Sequence, residues 1–107
     1  MIYYVRLLED AEEDLFEIIT YVAAHDSPLN AGRLLTNLER TCESLQSVPE
    51  RGRVPPELKA IGISEYHEVF FKPYRIMYRL QGTTVLIFAI LDGRRDLTDL
   101  LLQRLLR

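Results

Sequence analysis

The chain has 107 residues, enough for one good hydrophobic core and too few for two. Hydrophobic residues at 48% and charged residues at 27% are ordinary globular composition, which excludes a disordered or collagen-like chain. The single cysteine, Cys42, excludes a disulfide framework and a Cys-rich zinc site and points to a reduced, cytoplasmic setting.

No apolar run approaches the ~20 residues a membrane span needs. The N-terminus turns acidic at Glu9 and Asp10, so it does not read as a signal peptide. Charge is uneven along the chain. Residues 1–50 hold ten acids and three bases, whereas 51–107 hold six acids and ten bases. The second half offers a basic surface to an acidic partner or to nucleic acid. It is weaker than the stripe of a dedicated DNA-binding domain, and direct nucleic-acid binding stays open.

Ile2 to Leu7 is short, β-branched and aromatic, and is predicted to be a strand. Asp10 and Glu13 have capping-box spacing. Leu15, Ile18, Ile19 and Val22 then repeat at helical intervals, with Ala11 extending the stripe, which predicts an amphipathic helix to about Ala24. Asp26-Ser27-Pro28 ends this helix and starts another. Ser27 suits the cap, and Pro28 the first helical position. Ala31, Leu34, Leu35, Leu38, Cys42 and Leu45 mark the second helix, which stops near Ser47. The short connection makes the pair an antiparallel hairpin.

Residues 49–56 (PERGRVPP) are predicted to form a loop. Strands are predicted at Tyr66 to Lys72, Tyr74 to Leu80 and Thr84 to Leu91, with breaks at Pro73 and Gln81-Gly82-Thr83. Asp96 can cap a last helix, Leu97 to Arg107, whose apolar set is Leu97, Leu100, Leu101, Leu105 and Leu106. The order β-α-α-β-β-β-α implies one α+β domain over 1–107, an antiparallel sheet packed by an N-terminal helical hairpin with a short C-terminal helix. Alternation puts Tyr74, Ile76, Tyr78 and Leu80 on the core face. Arg75, Met77 and Arg79 take the other face, which the last helix or a partner must cover. The expected core is Leu15, Ile18, Ile19, Val22, Leu34, Leu38, Leu45, Ile76, Tyr78, Ile87 and Ala89. The segment after Asp96 is expected to be a functional surface whose removal leaves the main fold formed.

No Gly-rich phosphate loop, H-E-x-x-H or catalytic-triad motif is present, and no metal set is visible. Paired acids such as Glu12-Glu13 read as solvated helix surface. His67, near Arg75, is the one histidine with a possible chemical setting, and an exposed structural role is the plainer reading. Arg94-Arg95 before Asp96 suits an anion or a structural ion pair.

Three stretches carry a resemblance: GRVPPEL in the loop, YRIMYRL on a strand, and VLIFAILDGRRD after it. With the opening pattern Ala11, Asp14, Leu15, Ile18, Tyr21, Val22, they are similar to the RelE/ParE superfamily of bacterial type II toxins over nearly the whole chain. RelE-like members cut ribosome-bound mRNA, and ParE-like members poison DNA gyrase. The best-known RelE enzymes use two lysines, two arginines and a tyrosine. On the shared motifs the arginines match Arg75 and Arg95, but the lysine positions hold Tyr66 and Glu68 and the tyrosine position holds Leu101. Cleavage of RNA needs a proton acceptor and stabilisation of phosphate charge, and a glutamate repels phosphate.

The resemblance therefore implies a ParE-like toxin that binds DNA gyrase, has no catalytic residues, metal or cofactor, and is neutralised by a cognate antitoxin. Such toxins serve plasmid maintenance or stress responses. The alternatives are a RelE-like endoribonuclease or an inactive antitoxin-binding paralogue. Target-binding candidates are Tyr66, His67, Arg75, Arg79, Arg94 and Arg95. Antitoxin-binding candidates are Leu15, Ile19, Leu35 and Leu38.

Overall fold

A computed structural model describes residues 2–106. The elements follow the expected order: β1 (Tyr4–Leu7), α1 (Glu9–His25), α2 (Pro28–Glu43), a 3-10 turn (Ser44–Gln46), α3 (Pro56–Lys59), β2 (Tyr66–Phe71), β3 (Tyr74–Gln81), β4 (Thr84–Asp92) and α4 (Thr98–Leu105). The fold is α+β, a four-stranded sheet with helices on both faces.

Local chemistry sets most boundaries. Ser27 Oγ accepts the Asn30 N–H at 3.0 Å, and Pro28 begins α2. The capping box at Asp10 does not form: α1 starts after Leu8 without a side-chain cap, and Asp10 instead lies 3.9 Å from Arg104 Nε. Three acids in the first turn still favour the positive end of the helix. The 49–56 loop runs into the short α3, which the Pro-Pro pair had hidden in the sequence. The last helix starts at Thr98 rather than Leu97, and Leu97 holds the cap position without a side-chain cap. Asp96 Oδ1 accepts the Thr98 N–H at 3.0 Å from one residue further back. The expected end at Arg107 lies outside the described residues.

The sheet order is β1-β4-β3-β2. β2, β3 and β4 form the expected antiparallel meander, and β1 joins it parallel to β4, making the sheet mixed. Strand content alone does not orient β1, because the helical hairpin between β1 and β2 can return the chain either way. β2 and β3 meet through Lys72–Pro73, a cis peptide, and β3 turns into β4 with Gly82 at φ 61°. The β3–β4 register shifts between Met77 and Tyr78: Met77 opposes Ala89 and Tyr78 opposes Ile87, leaving Phe88 as the extra residue. Phe88 and Ala89 consequently point to the same face.

The strand phase agrees with the sequence pattern. On the hairpin face Ala11, Leu38, Cys42 and Leu45 pack on Val69, Ile76, Tyr78, Val85, Ile87 and Ile90, with Leu15, Ile18 and Leu34 at the margin. Ile19 and Val22, expected in the core, stay half-buried outside this cluster. The second face holds Met77, Phe88, Ala89 and Leu91 under Leu58 of α3 and Leu97 and Leu101 near and in α4. Ala89 thus belongs to the second core rather than the hairpin core. Leu97 and Leu101 are fully buried. The C-terminal segment is therefore structural as well as superficial, against the expectation that it is dispensable for folding.

Candidate functional site

The arginines expected to act together differ in burial: Arg79, Arg94 and Arg95 are exposed, and Arg75 is buried. Arg75 and Arg79 do share the face away from the hairpin, but Arg75 is sealed in. Its Nη1 and Nη2 donate to both oxygens of Glu57 at 2.6 Å each, and its Nε donates to Glu68 Oε1 at 2.7 Å. Glu68 is fully buried and also accepts from Arg53 Nε at 2.9 Å. A bidentate guanidinium–carboxylate pair is the strong form of this contact. The Glu57 hydrogen bonds raise the Arg75 pKa, and the same bonds hold the Glu57 carboxyl below its ordinary value.

Two glycines allow this packing. A Cβ on Gly93 would meet Arg75 Cδ at 2.6 Å, so the turn after β4 must be glycine for the Arg75 stem to pass. A Cβ on Gly52 would meet Tyr78 Oη at 2.5 Å. Tyr78 Oη donates to Pro49 O at 2.6 Å and accepts the Gly52 N–H at 3.1 Å, which pins the PERGRVPP loop to the sheet.

A second charged cluster was not foreseen. β1 pairs with β4 only as far as Ile87, and beyond it the β4 edge lacks a strand. Asp14 Oδ2 accepts the Ile90 N–H at 3.0 Å, while Arg104 Nη1 donates to Phe88 O at 3.0 Å. Asp14 and Arg104 bind each other at 2.6 Å, which raises the Arg104 pKa. The two side chains stand in for the missing strand and tie α1 to α4. The available signal was an acid, Asp14, inside the apolar stripe of the first helix, and a base, Arg104, on the apolar side of the last.

The other candidates lie apart. Tyr66 sits on the second face, edge-on to Phe88 with centroids 5.0 Å apart. His67 points to the hairpin face beside Tyr78, and its Nδ1 is buried without a hydrogen-bond partner. It therefore does not share a face with Arg75, and the proposed chemical setting for His67 does not form. Arg79 is exposed on the second face.

Arg94 and Arg95 open into a cleft of about 790 Å³ between α1, the ends of β3 and β4, and α4. Arg94 binds Asp92 at 2.6 Å and stays largely exposed, and these bonds lower the Asp92 pKa. Tyr21 and His25, stacked 4.1 Å apart, form the opposite wall. Tyr74, whose pKa is raised by burial, adds a third ring to the same cleft.

Leu15, Ile19 and Leu35 line an apolar groove of about 400 Å³ with Leu7 and Phe16. Phe16 is 73% exposed there, an unusual state for a large apolar side chain. Leu38, expected to contact a partner, is instead fully buried beneath the hairpin. Cys42 is no nucleophile: burial, and then Glu39 and Glu43, push its thiol up to about 12. Among the described residues no group of three or more His, Cys, Asp or Glu side chains is placed to hold a metal, and no helix is long and apolar enough to cross a membrane.

This sheet, with a helical hairpin on one face and the C-terminal helix on the other, is the fold of RelE/ParE superfamily toxins. It aligns with a chromosomal ParDE toxin–antitoxin system from P. aeruginosa at a TM-score of 0.69 and 18% identity, covering 83% of this chain and 94% of that one. It aligns with the RelBE2 toxin–antitoxin complex from Mycobacterium tuberculosis at 0.62 and 21%, covering 84% and 96%. Within the superfamily, the chain belongs to the ParE toxin family of type II toxin–antitoxin systems (parDE), which it matches over residues 5–97. It is also 31% identical to Toxin ParE3 of Caulobacter vibrioides over 84 residues, 78% of this chain and 80% of that protein.

Proposed function

We propose that this ParE-family toxin acts in the cytoplasm by binding DNA gyrase rather than by cutting RNA. The observation that carries the reading is the state of Arg75. A guanidinium that stabilises a phosphate in a transition state must be free to meet it. Here Glu57 holds both of its terminal nitrogens, and buried Glu68 holds the third. The two lysine positions of a RelE-like site are Tyr66 and this buried Glu68, and the tyrosine position is Leu101, buried on the sheet-facing side of α4. Arg94-Arg95, by contrast, form an exposed basic pair at the mouth of the large cleft, and this turn is the proposed gyrase contact.

The apolar groove at Leu15, Ile19 and Leu35 is the proposed seat of a cognate antitoxin. An amphipathic segment that folds on binding would bury Phe16 there. No cofactor enters this mechanism. The test is purified protein assayed in parallel for inhibition of gyrase supercoiling and for cleavage of ribosome-bound mRNA. Inhibition of supercoiling, lost in folded Arg94→Ala/Arg95→Ala, is expected. Specific mRNA cleavage would establish the ribonuclease reading instead.

A further inference from the structure

Four residues from four strands form one row across the second face. Register pairs Arg6 of β1 with Leu86 of β4, Leu86 with Arg79 of β3, and Arg79 with Tyr66 of β2. Tyr4, two residues before Arg6, lies on the same face and is 68% exposed. α3 and α4 cover the half of this face around Met77 and Phe88; Arg6 and Arg79 stay exposed, and Tyr66 is half-buried, edge-on to Phe88.

The row is positive and uncompensated. Arg6 and Arg79 are exposed, and neither lies within ion-pair distance of a carboxylate among the described residues. The bond from Arg79 goes to Gln81 at 3.3 Å. Asp10, across the neighbouring cavity, is turned to Arg104. Leu86 between the two guanidiniums is 8% exposed.

We infer that this row is a docking strip for single-stranded nucleic acid, with Arg6 and Arg79 on phosphates and Tyr4 and Tyr66 offering faces to bases. Two guanidiniums two strands apart, with a ring at each side, combine backbone charge with stacking on a flat sheet, the chemistry that suits splayed bases. An acidic peptide would meet the arginines but leave the rings unused. Three strand spacings make the row about 14 Å wide, too broad and flat for a major groove of about 12 Å. The strip lies apart from Arg94 and Arg95, so it stands or falls independently of the gyrase reading.

The test is fluorescence anisotropy of the full chain with labelled oligothymidylate, oligouridylate and a DNA hairpin duplex. Two phosphate contacts on a single strand give a log K against log salt slope of about −1.4, or about sevenfold weaker binding between about 50 mM and about 200 mM salt. Arg6→Ala or Arg79→Ala should halve that slope, and the double variant should nearly abolish binding. Tyr4→Ala, on an exposed ring, should weaken binding about fivefold or more with the slope unchanged. Arg33→Ala/Arg40→Ala, which removes two exposed guanidiniums from α2, should change nothing, and circular dichroism checks the fold of each variant. Preference for the ribo- or the deoxyribo-strand identifies the source, and either supports the strip. No binding, stronger binding to the duplex, or equal loss in the α2 variant would overturn it.

Discussion

The two faces of the sheet are closed by different chemistry. The hairpin face is hydrocarbon: Leu38, Leu45, Ile76, Val85 and Ile87 are fully buried there, with Tyr78 tethering the 49–56 loop. The second face has its own apolar cluster, but its coverings are fastened by charge. Glu57 and Glu68 on Arg75 hold α3, and Asp14 on Arg104 holds α4. Apolar burial is tolerant and non-directional, whereas a buried ion pair is demanding: it contributes little over a hydrophobic substitute and fails badly when one partner is lost. The second face is thus the more brittle one.

Variants can break that comparison, and the largest effect is expected at Arg75. Arg75→Met strips Glu57 of its bidentate partner, leaves buried Glu68 with Arg53 alone, and should cost ~3–5 kcal/mol in urea unfolding. Replacing the set together, Glu57→Gln/Glu68→Met/Arg75→Met, should recover most of that loss. On the other face Leu38→Ala should cost ~2–5 kcal/mol through the cavity it leaves, with no such rescue.

A smaller effect belongs to Glu57 alone. Its pKa is lowered on folding by the Arg75 hydrogen bonds, so its contribution is fully present above its ordinary value of 4.5 and is lost as pH falls through the depressed folded value. The stability gap between the wild type and Glu57→Gln should therefore be constant near neutral pH and close in acid, as measured by melting at a series of pH values. The smallest effect is at the surface. Arg94→Ala removes an exposed ion pair and should leave the melting temperature unchanged while weakening toxicity in a growth-arrest assay.

Periodicity made the hairpin and meander readable, because each element has one apolar face at its proper spacing: Ala31, Leu34, Leu38, Cys42 on α2, and Ile76, Tyr78, Leu80 on β3. The direction of β1 was not readable, since it depends on how the hairpin returns the chain rather than on any residue of β1. The bulge at Phe88 was hidden because β4 is apolar on both faces, so a one-residue slip leaves no mark in the pattern. Arg75 was correctly assigned to the second face. Its closure was missed because Glu57 lies in a four-residue helix after two prolines, 18 positions away. The Asp14–Arg104 contact spans 90 positions and has no local signature beyond charges on apolar stripes.

The account rests on Arg75 acting as a fastener and not as a chemical group. The most direct test is supercoiling inhibition by the Glu57→Gln/Glu68→Met/Arg75→Met variant, after circular dichroism and urea unfolding have established that it is folded. The account predicts inhibition of gyrase at wild-type potency from a protein with no arginine at this position. A folded triple variant that no longer inhibits gyrase, while Arg94 and Arg95 remain in place, would contradict it.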